Sequence, residues 1–400
     1  MSYVPARGSG GPLDFDYILV GGGLQNALVA LAVLRRRPDA RLALVERGRT
    51  LGGNHRWSCH LADLPGSAAD FAGPLLEVTW PAYEVRFPRF SRRLESRYAS
   101  FDSRRLHDLV VRAVEAAPGS HVFTGCLAAV TGRHEVVLEH GRILRAPLIV
   151  DARGPERFAA SRATPIAGYQ KFVGLEMELV SPSRVPVPCL MDAAVEQADG
   201  FRFFYVLPVS ATQLLVEDTY FSDSSALDRT AVRDGILAYC ARRGFEPARI
   251  IREEHGVLPL PARSAARPQC TSPLAAGYMG GWFHPTTGYS FPAAIRLAAL
   301  VAALDPYDLG DPHACRTFDT LVREHHVQTR FATALNRMLF GCFAPGDRRH
   351  VLERFYRLPE ASIHRFYAMT TTRADRARIL CGRPPRGFSP ARALARGVFA

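Results

Sequence analysis

The feature that most constrains this chain is a three-part run near its start. Residues 17–20 are a continuous apolar tetrad, Gly21-Gly22-Gly23 follows at once, and Leu24, Leu28, Leu31 and Leu34 then recur at helical spacing up to the arginines before Pro38. An apolar run without polar alternation suits a parallel strand covered on both faces. Glycines between strand and helix let backbone N–H groups at the helix N-terminus approach a pyrophosphate. Residues 41–46 read as a second strand, so the segment is a βαβ unit. Gly21 and Gly23 take the first two positions of the dinucleotide fingerprint, and Asn26 stands where a third glycine is usual, which predicts slightly looser helix–strand packing there. Glu46, closing the second strand, suits a carboxylate that grips ribose hydroxyls. Turn, helix, strand and acid together predict a dinucleotide-binding part.

The chain has 400 residues, enough for roughly two to three domains. With 48% apolar and 22% charged residues it belongs with folded globular proteins, and disorder is excluded. The formal charge is +12, and Lys171 is the one lysine among 50 basic residues. That bias has two readings, an arginine-rich coding preference or a basic face for anionic lipid. No nucleic-acid-binding signature accompanies it, which argues against a nucleic-acid partner. The eight cysteines never approach closer than 27 residues and form no CxxC, so zinc-finger and thioredoxin readings fail. Residues 1–13 form a Gly/Pro-rich leader without the apolar core of a signal peptide, so a reducing cytoplasm and a chain without a disulfide or metal staple are expected. No segment reads as transmembrane, because glycines, Gln25 and Asn26 interrupt the apolar stretch 17–34.

Further along, 104–116 reads as a helix, 121–124 as a strand, 135–145 as a hairpin, and 148–150 as a buried strand running into Asp151-Ala152-Arg153-Gly154. Between 172 and 220 the period changes to alternation. Val173, Leu175, Met177 and Leu179 point one way, and Glu176 and Glu178 the other, toward an expected solvated face. This predicts an antiparallel sheet with one face over a cavity. Residues 291–304 form an apolar helix, and the chain beyond 311 is helical, mixing arginines with aromatics. The expected division is a nucleotide part over 14–170 completed by 274–305, an antiparallel-sheet substrate part over 171–273, and a helical part over 306–400.

Three glycine turns extend the argument by resemblance. Gly52-Gly53 after Glu46, the strand end Asp151–Gly154, and His284-Pro285-Thr286-Thr287-Gly288 before the apolar helix resemble the turns of glutathione-reductase-superfamily flavoproteins. They imply FAD rather than NAD as the bound dinucleotide, although Gly280-Gly281 stands where many such proteins carry Gly-Asp. More specific words follow. Gly52-Gly53-Asn54-His55-Arg56-Trp57-Ser58-Cys59-His60, Phe201-Arg202-Phe203-Phe204-Tyr205-Val206-Leu207-Pro208, Leu215-Val216-Glu217-Asp218-Thr219-Tyr220 and 277–290 resemble, in order, segments of bacterial lycopene β-cyclases. So do Asn336–Phe340 and Arg354–Pro359.

The resemblance implies a Rossmann-type α/β fold and a non-redox ring closure of lycopene through γ-carotene to β-carotene. It also implies reduced FAD with NAD(P)H as reductant. Glu217 would be the acid/base residue and Asp218 would orient a backbone group or an arginine. His284 would touch the flavin or support its turn. Gly21, Gly23, Glu46, Gly52, Gly53, Asp151, Gly154 and Gly288 would hold the cofactor, with Arg105 or, in its place, Arg104. Phe201, Phe203, Tyr205 and Trp282 would line the polyene pocket. His55 and His60 lack a third ligand, so no metal is expected. A substrate that lives in the bilayer implies a peripheral protein on the cytoplasmic face of the membrane, and the Arg/aromatic mixture over 330–367 suits its contact surface. Two rivals remain open: a flavin- and NAD(P)H-dependent hydroxylase of an apolar substrate, and a nucleotide-free membrane scaffold.

Overall fold

The computed structural model describes residues 13–154 and 165–398. All but the last residue of the expected leader lies outside the described residues. Five parallel strands make the first sheet, in the order Leu274–Ala275, Leu148–Asp151, Tyr17–Val20, Leu42–Val45, His121–Phe123. Tyr17–Val20 and Leu42–Val45 are buried at every position, because both faces are covered. Tyr17 and Leu19 pack into one core with the helices Leu24–Arg36 and Phe291–Ala303. Ile18 and Val20 point the other way, onto Val136, Leu138 and Leu144 of a small antiparallel sheet.

The second large sheet has seven strands in the order Pro247–Pro261, Ile166–Leu179, Gln213–Ser222, Phe201–Pro208, Cys189–Asp192, Tyr83–Phe87, Phe90–Leu94. On one face Val173, Leu175, Met177 and Leu179 pack against Ile236, Tyr239 and Cys240 of the helix Arg229–Arg243. The other face roofs the crevice beside the parallel sheet and, further along, packs on the C-terminal helices. The expected boundary at 170/171 falls inside the strand Ile166–Leu179, and Tyr83–Phe87 and Phe90–Leu94, expected in the nucleotide part, belong to the roof. Local periodicity cannot show which distant strand a segment will join.

Three expectations are corrected. Cys270 and Cys315 form a disulfide, tying the segment before Leu274–Ala275 to the start of the long helix Arg316–Cys342. Glu176 is not solvated; it is buried between Arg252, 2.6 Å away, and Arg56, 3.4 Å away, while Glu178 pairs at the rim with Arg249. The aromatics over 330–367 mostly turn inward: Phe340, Phe343, Tyr356 and Phe366 are buried. Core-facing aromatics with an arginine rim and an interfacial surface share one sequence pattern. Here Arg348 stacks over the Phe340 ring at 4.3 Å and donates to the Phe221 carbonyl at 3.0 Å.

The long helix seats on the roof where Gly168 leaves room: a Cβ there would lie 2.1 Å from the Phe340 ring. Gly168→Ala should therefore cost about 1–3 kcal/mol of unfolding free energy through overpacking, read as a lower urea midpoint. An unchanged midpoint would show that the helix is not seated through this contact.

Candidate active site

The glycine turn is fixed by backbone contacts. Gly21 has φ +97°, and a Cβ there would sit 2.9 Å from the Ala152 carbonyl, so no side chain fits. A Cβ on Gly23 would meet nothing within 4 Å; the space above the helix N-terminus is open. Asn26 does not loosen the packing. Fully buried, its Nδ2 reaches the carbonyls of Val20, Gly21 and Val150 at 2.9–3.3 Å and stitches two strands to the helix. Glu46 accepts from the amides of Gly22 at 2.6 Å and Gly48 at 2.7 Å, bracing the turn. Gly52 donates its amide to the Gly22 carbonyl at 2.9 Å, and Gly53, at φ +61°, continues the left-handed turn.

Two cavities meet along this turn. A smaller one, about 170 Å³, is lined by Gly21, Glu46, Arg47, Arg153 and Gly154. A larger one, about 390 Å³, begins at Gly23, Leu24 and Gly154 and runs under the roof to Thr287, Gly288 and Tyr289. Gly154 borders both, so the pair outlines a path shaped for a dinucleotide, crossing the glycine turn at its middle. The far end is the N-terminus of the helix Phe291–Ala303, whose unpaired amides and dipole favour negative charge. Gly288 has φ +69°, and a Cβ there would press on Leu258 at 3.0 Å. Beside it the buried Gln170 Oε1 has no hydrogen-bond partner among the described residues, an acceptor facing the cavity. A group with N–H donors and a polar ring edge fits this end.

Five expected residues take other positions. Arg105 donates to the Pro74 carbonyl at 2.7 Å and Arg104 to Asp102 at 3.1 Å; neither lines either of these two cavities. His284 is buried behind its turn: its Nδ1 accepts from the Thr286 amide at 3.1 Å, its ring lies 4.4 Å from Phe366, and burial pushes its pKa down to about 3. It supports the turn rather than taking part in chemistry. Phe201 packs in the core against Phe203 and Phe221 and lines neither large cavity. Asp151 is engaged at 2.7 Å by Arg153. Trp282 does border the larger cavity, stacked on His325 at 4.7 Å. His55 lies at that cavity's edge, while His60 is buried in a ring of aromatics that includes Tyr83, Tyr98 and Tyr367.

The roof carries the acids. Along the strand Gln213–Ser222, alternation turns Glu217 into the larger cavity and Asp218 to the opposite face. Asp218 is locked by Arg202 at 2.6 Å and the Tyr220 hydroxyl at 2.9 Å. Among the described residues Glu217 has no cation partner; its Oε1 accepts only from the Thr219 hydroxyl, at 2.6 Å. Its pKa is pushed up to about 8, first by burial and next by the charge of Glu254. Around it the wall is apolar: Phe172, Tyr205, Leu207, Leu215 and Leu258. Tyr205 also borders a second cavity of about 250 Å³, lined by Phe203, Leu339, Phe355 and Phe366, so the apolar path continues past it. Glu254, Gly174 and Gln170 were not foreseen; their signal lies in cross-strand register, which the sequence does not display.

An open parallel sheet with a dinucleotide-shaped path, and a roof carrying one neutral carboxyl over an apolar cavity, define a two-part nucleotide-binding enzyme architecture. The same fold occurs in pqsL, a probable FAD-dependent monooxygenase from Pseudomonas aeruginosa (TM-score 0.60, 15% identity, 84% of this chain and 97% of that one). It also occurs in a geranylgeranyl bacteriochlorophyll reductase-like protein from Thermoplasma acidophilum (TM-score 0.62, 13% identity, 96% and 95%). The chain belongs to the lycopene cyclase family, whose model, "Lycopene cyclase protein", matches residues 16–393. The lycopene beta-cyclase of Pantoea ananas is 40% identical over 377 residues, 93% of this chain and 95% of that protein.

Glu217 also makes folding pH-dependent. Its carboxyl titrates near 4.5 in the unfolded chain and near 8 in the folded one, so the folded state binds the proton more tightly. The stability this contributes is complete below pH 4.5 and disappears as pH rises through 8. Glu217→Gln removes that loss. The thermal midpoint of the variant, relative to the native chain, should be clearly higher at pH 9 than at pH 5. A difference independent of pH would mean Glu217 is ionised throughout.

Proposed function

We propose that this chain is a lycopene β-cyclase, closing both ψ ends of lycopene to β-rings through γ-carotene without net electron transfer. The observation that carries the reading is Glu217, a buried carboxyl on the wall of an apolar cavity whose pKa is pushed up to about 8 by burial and by the charge of Glu254. An alkene is a very weak base, so its protonation needs a poorly solvated acid. Glu217 gives its proton to the terminal alkene, and the resulting anion faces the cation it has created. The cation closes the ring, a different C–H proton returns to the carboxylate, and the acid is restored. Phe172, Leu215 and Leu258 keep water from trapping the cation. Tyr205 separates the reacting end from the cavity that takes the rest of the polyene.

FAD fits the path already described. Glu46 would meet the ribose, Gly21–Gly23 the pyrophosphate, and the turn at Gly288 with the following helix N-terminus the ring, within reach of Gln170. Once reduced by NAD(P)H, FAD would supply negative charge near the developing cation. The monooxygenase fold neighbours favour one alternative, a flavin hydroxylase, and oxygen separates the two. With flavin reduced once and air excluded, purified protein should convert lycopene in liposomes over many turnovers per flavin. Glu217→Gln should keep its flavin and lose about a hundredfold or more of this activity. Product formed only when O2 and NAD(P)H are supplied would move the chain to the hydroxylase class.

No helix among the described residues is long and apolar enough to cross a membrane. We infer peripheral docking, on the cytoplasmic face, through the mouth of the second cavity. Leu380 stands 46% exposed at that mouth beside Arg378, with Arg383 and Arg386 exposed close by. Apolar side chains among arginines suit an anionic headgroup layer. Co-sedimentation with phosphatidylglycerol vesicles should be strong at low salt and weaken at about 0.5 M salt. Arg383→Glu with Arg386→Glu should weaken it severalfold; equal binding by that variant would place the contact elsewhere.

A further inference from the structure

Glu217 has a neighbour of its own kind. The strand Ile166–Leu179 lies between the Glu217 strand and the strand Pro247–Pro261, and Gly174 pairs with Glu217 on one side and Glu254 on the other. Residues level with one another on adjacent strands share a face. Both carboxyls therefore rise on the cavity side, with a glycine between them, and both border the larger cavity. A Cβ on Gly174 would lie 3.0 Å from Glu254 Cγ, 3.2 Å from its Oε1 and 3.5 Å from Glu217 Cβ. The missing side chain is what lets the two acids lean toward each other.

Their surroundings differ. Glu254 is 4% exposed, its Oε2 accepts from the Arg56 amide at 2.9 Å, and His55 Nδ1 stands 3.7 Å away. A backbone N–H donor suits a charged carboxylate. Glu217 is offered only a hydroxyl. Two acids on one dry face cannot both ionise at low cost, and the better-anchored one takes the charge.

We propose that Glu217 and Glu254 act as a carboxyl pair holding one proton over Gly174, with the proton on Glu217 and the charge on Glu254. This rests on Glu217 being the acid of the proposed reaction, and it makes Glu254 a positioning residue acting through Glu217. Burial raises the Glu217 pKa most, and the charge of Glu254 adds to it. In the cycle the Glu217 O–H bond breaks as a C–H bond forms on the terminal alkene carbon. Both carboxylates then face the cation. A ring C–H bond breaks, its electron pair becomes the ring double bond, and the proton returns to Glu217. No electrons leave the substrate, and the pair ends with the one proton it began with.

The other ionisable groups around the pair do not take over this role. Tyr205 stands opposite Glu217 on the next strand, and Tyr98, Tyr278 and Tyr289 complete the wall; burial pushes the pKa of all four up, so they stay neutral. Arg56 directs its guanidinium to Glu176 and Glu77, and Arg252 also takes Glu176. Glu253 points away from the cavity to Arg229 and Arg233, and Asp218 is held by Arg202 behind the sheet. His55 stands beside the pair, its Nδ1 3.7 Å from Glu254.

The test reads the proton directly. Infrared titration of the flavin-loaded enzyme without lycopene should show a carboxylic acid C=O band that disappears near pH 8 and is absent in Glu217→Gln. In Glu254→Gln, which keeps an acceptor for the Arg56 amide, the band should vanish about one pH unit lower or more. The alkaline limb of kcat/KM for lycopene should move with it, and Glu254→Asp should restore both. Gly174→Ala, which crowds Glu254, should shift the band in the same direction and serves if Glu254→Gln does not fold. A band midpoint unmoved in both variants overturns the pair, even with cyclisation intact. A pair that titrates as expected in a protein without cyclase activity overturns the proposed reaction instead.

Discussion

One short segment ties the nucleotide turn directly to the acids of the roof, and the arrangement of the site depends on it. At its start Gly52 donates to the Gly22 carbonyl of the nucleotide turn; at its end Arg56 lays its amide on Glu254 and its buried guanidinium against Glu176 and Glu77. Between them Asn54 bonds the Glu253 carbonyl, and Arg252 reaches back to the His55 carbonyl. A buried ion pair of this kind adds little net stability, but removing one partner costs about 3–5 kcal/mol because the other charge is stranded. Its effect is positional. The roof with its acid and the turn with its open helix end cannot shift independently, so the acid and the cofactor path are held at one distance.

The nucleotide part was legible because its signals are local. Continuous apolar runs at 17–20 and 42–45 are what a doubly covered parallel strand requires, and the glycine turn follows directly in the chain. Glu217 was legible through the resemblance of 215–220 to the family's acidic segment; alternation added only that one of Glu217 and Asp218 could face the cavity, and Asp218 does take an arginine. Glu176 defeated the same reasoning: alternation gives its face correctly but not what lies over that face, and here two arginines do. Glu254 was invisible for a related reason. Nothing within 247–261 records that Gly174 will sit beside it, because register is set by sheet assembly.

The remaining misreadings concern direction and distance. Arginine alternating with aromatics over 330–367 is compatible with a lipid-facing surface and with a core rimmed by charge; the packing of Phe340 under Arg348 selects the second over most of that stretch. Cysteines 45 residues apart carry no spacing signal, yet the fold brings 270 and 315 together. His284 sits in the right turn, but its ring is needed to hold the Thr286 amide, so it cannot face the cavity.

The electrostatics of the larger cavity follow from which charges are neutralised elsewhere. Arg56 and Arg252 are both engaged by Glu176, Asp218 is compensated behind the sheet, and the wall tyrosines stay neutral. What faces the apolar space is a pair of carboxyls and, at the far end, the positive pole of the helix Phe291–Ala303. In a medium of low polarizability these charges act at greater range than in water. An anion placed at the helix end and a cation formed beside the acids are then both stabilised by fixed groups that need not move as the charge develops. A cavity meant only to bind an apolar molecule would not keep two acids on its wall, since each costs desolvation whether neutral or charged. In the proposed reaction the acids mark the place where the chemistry occurs, and the apolar continuation past Tyr205 is where the unreacting length of a long substrate would lie.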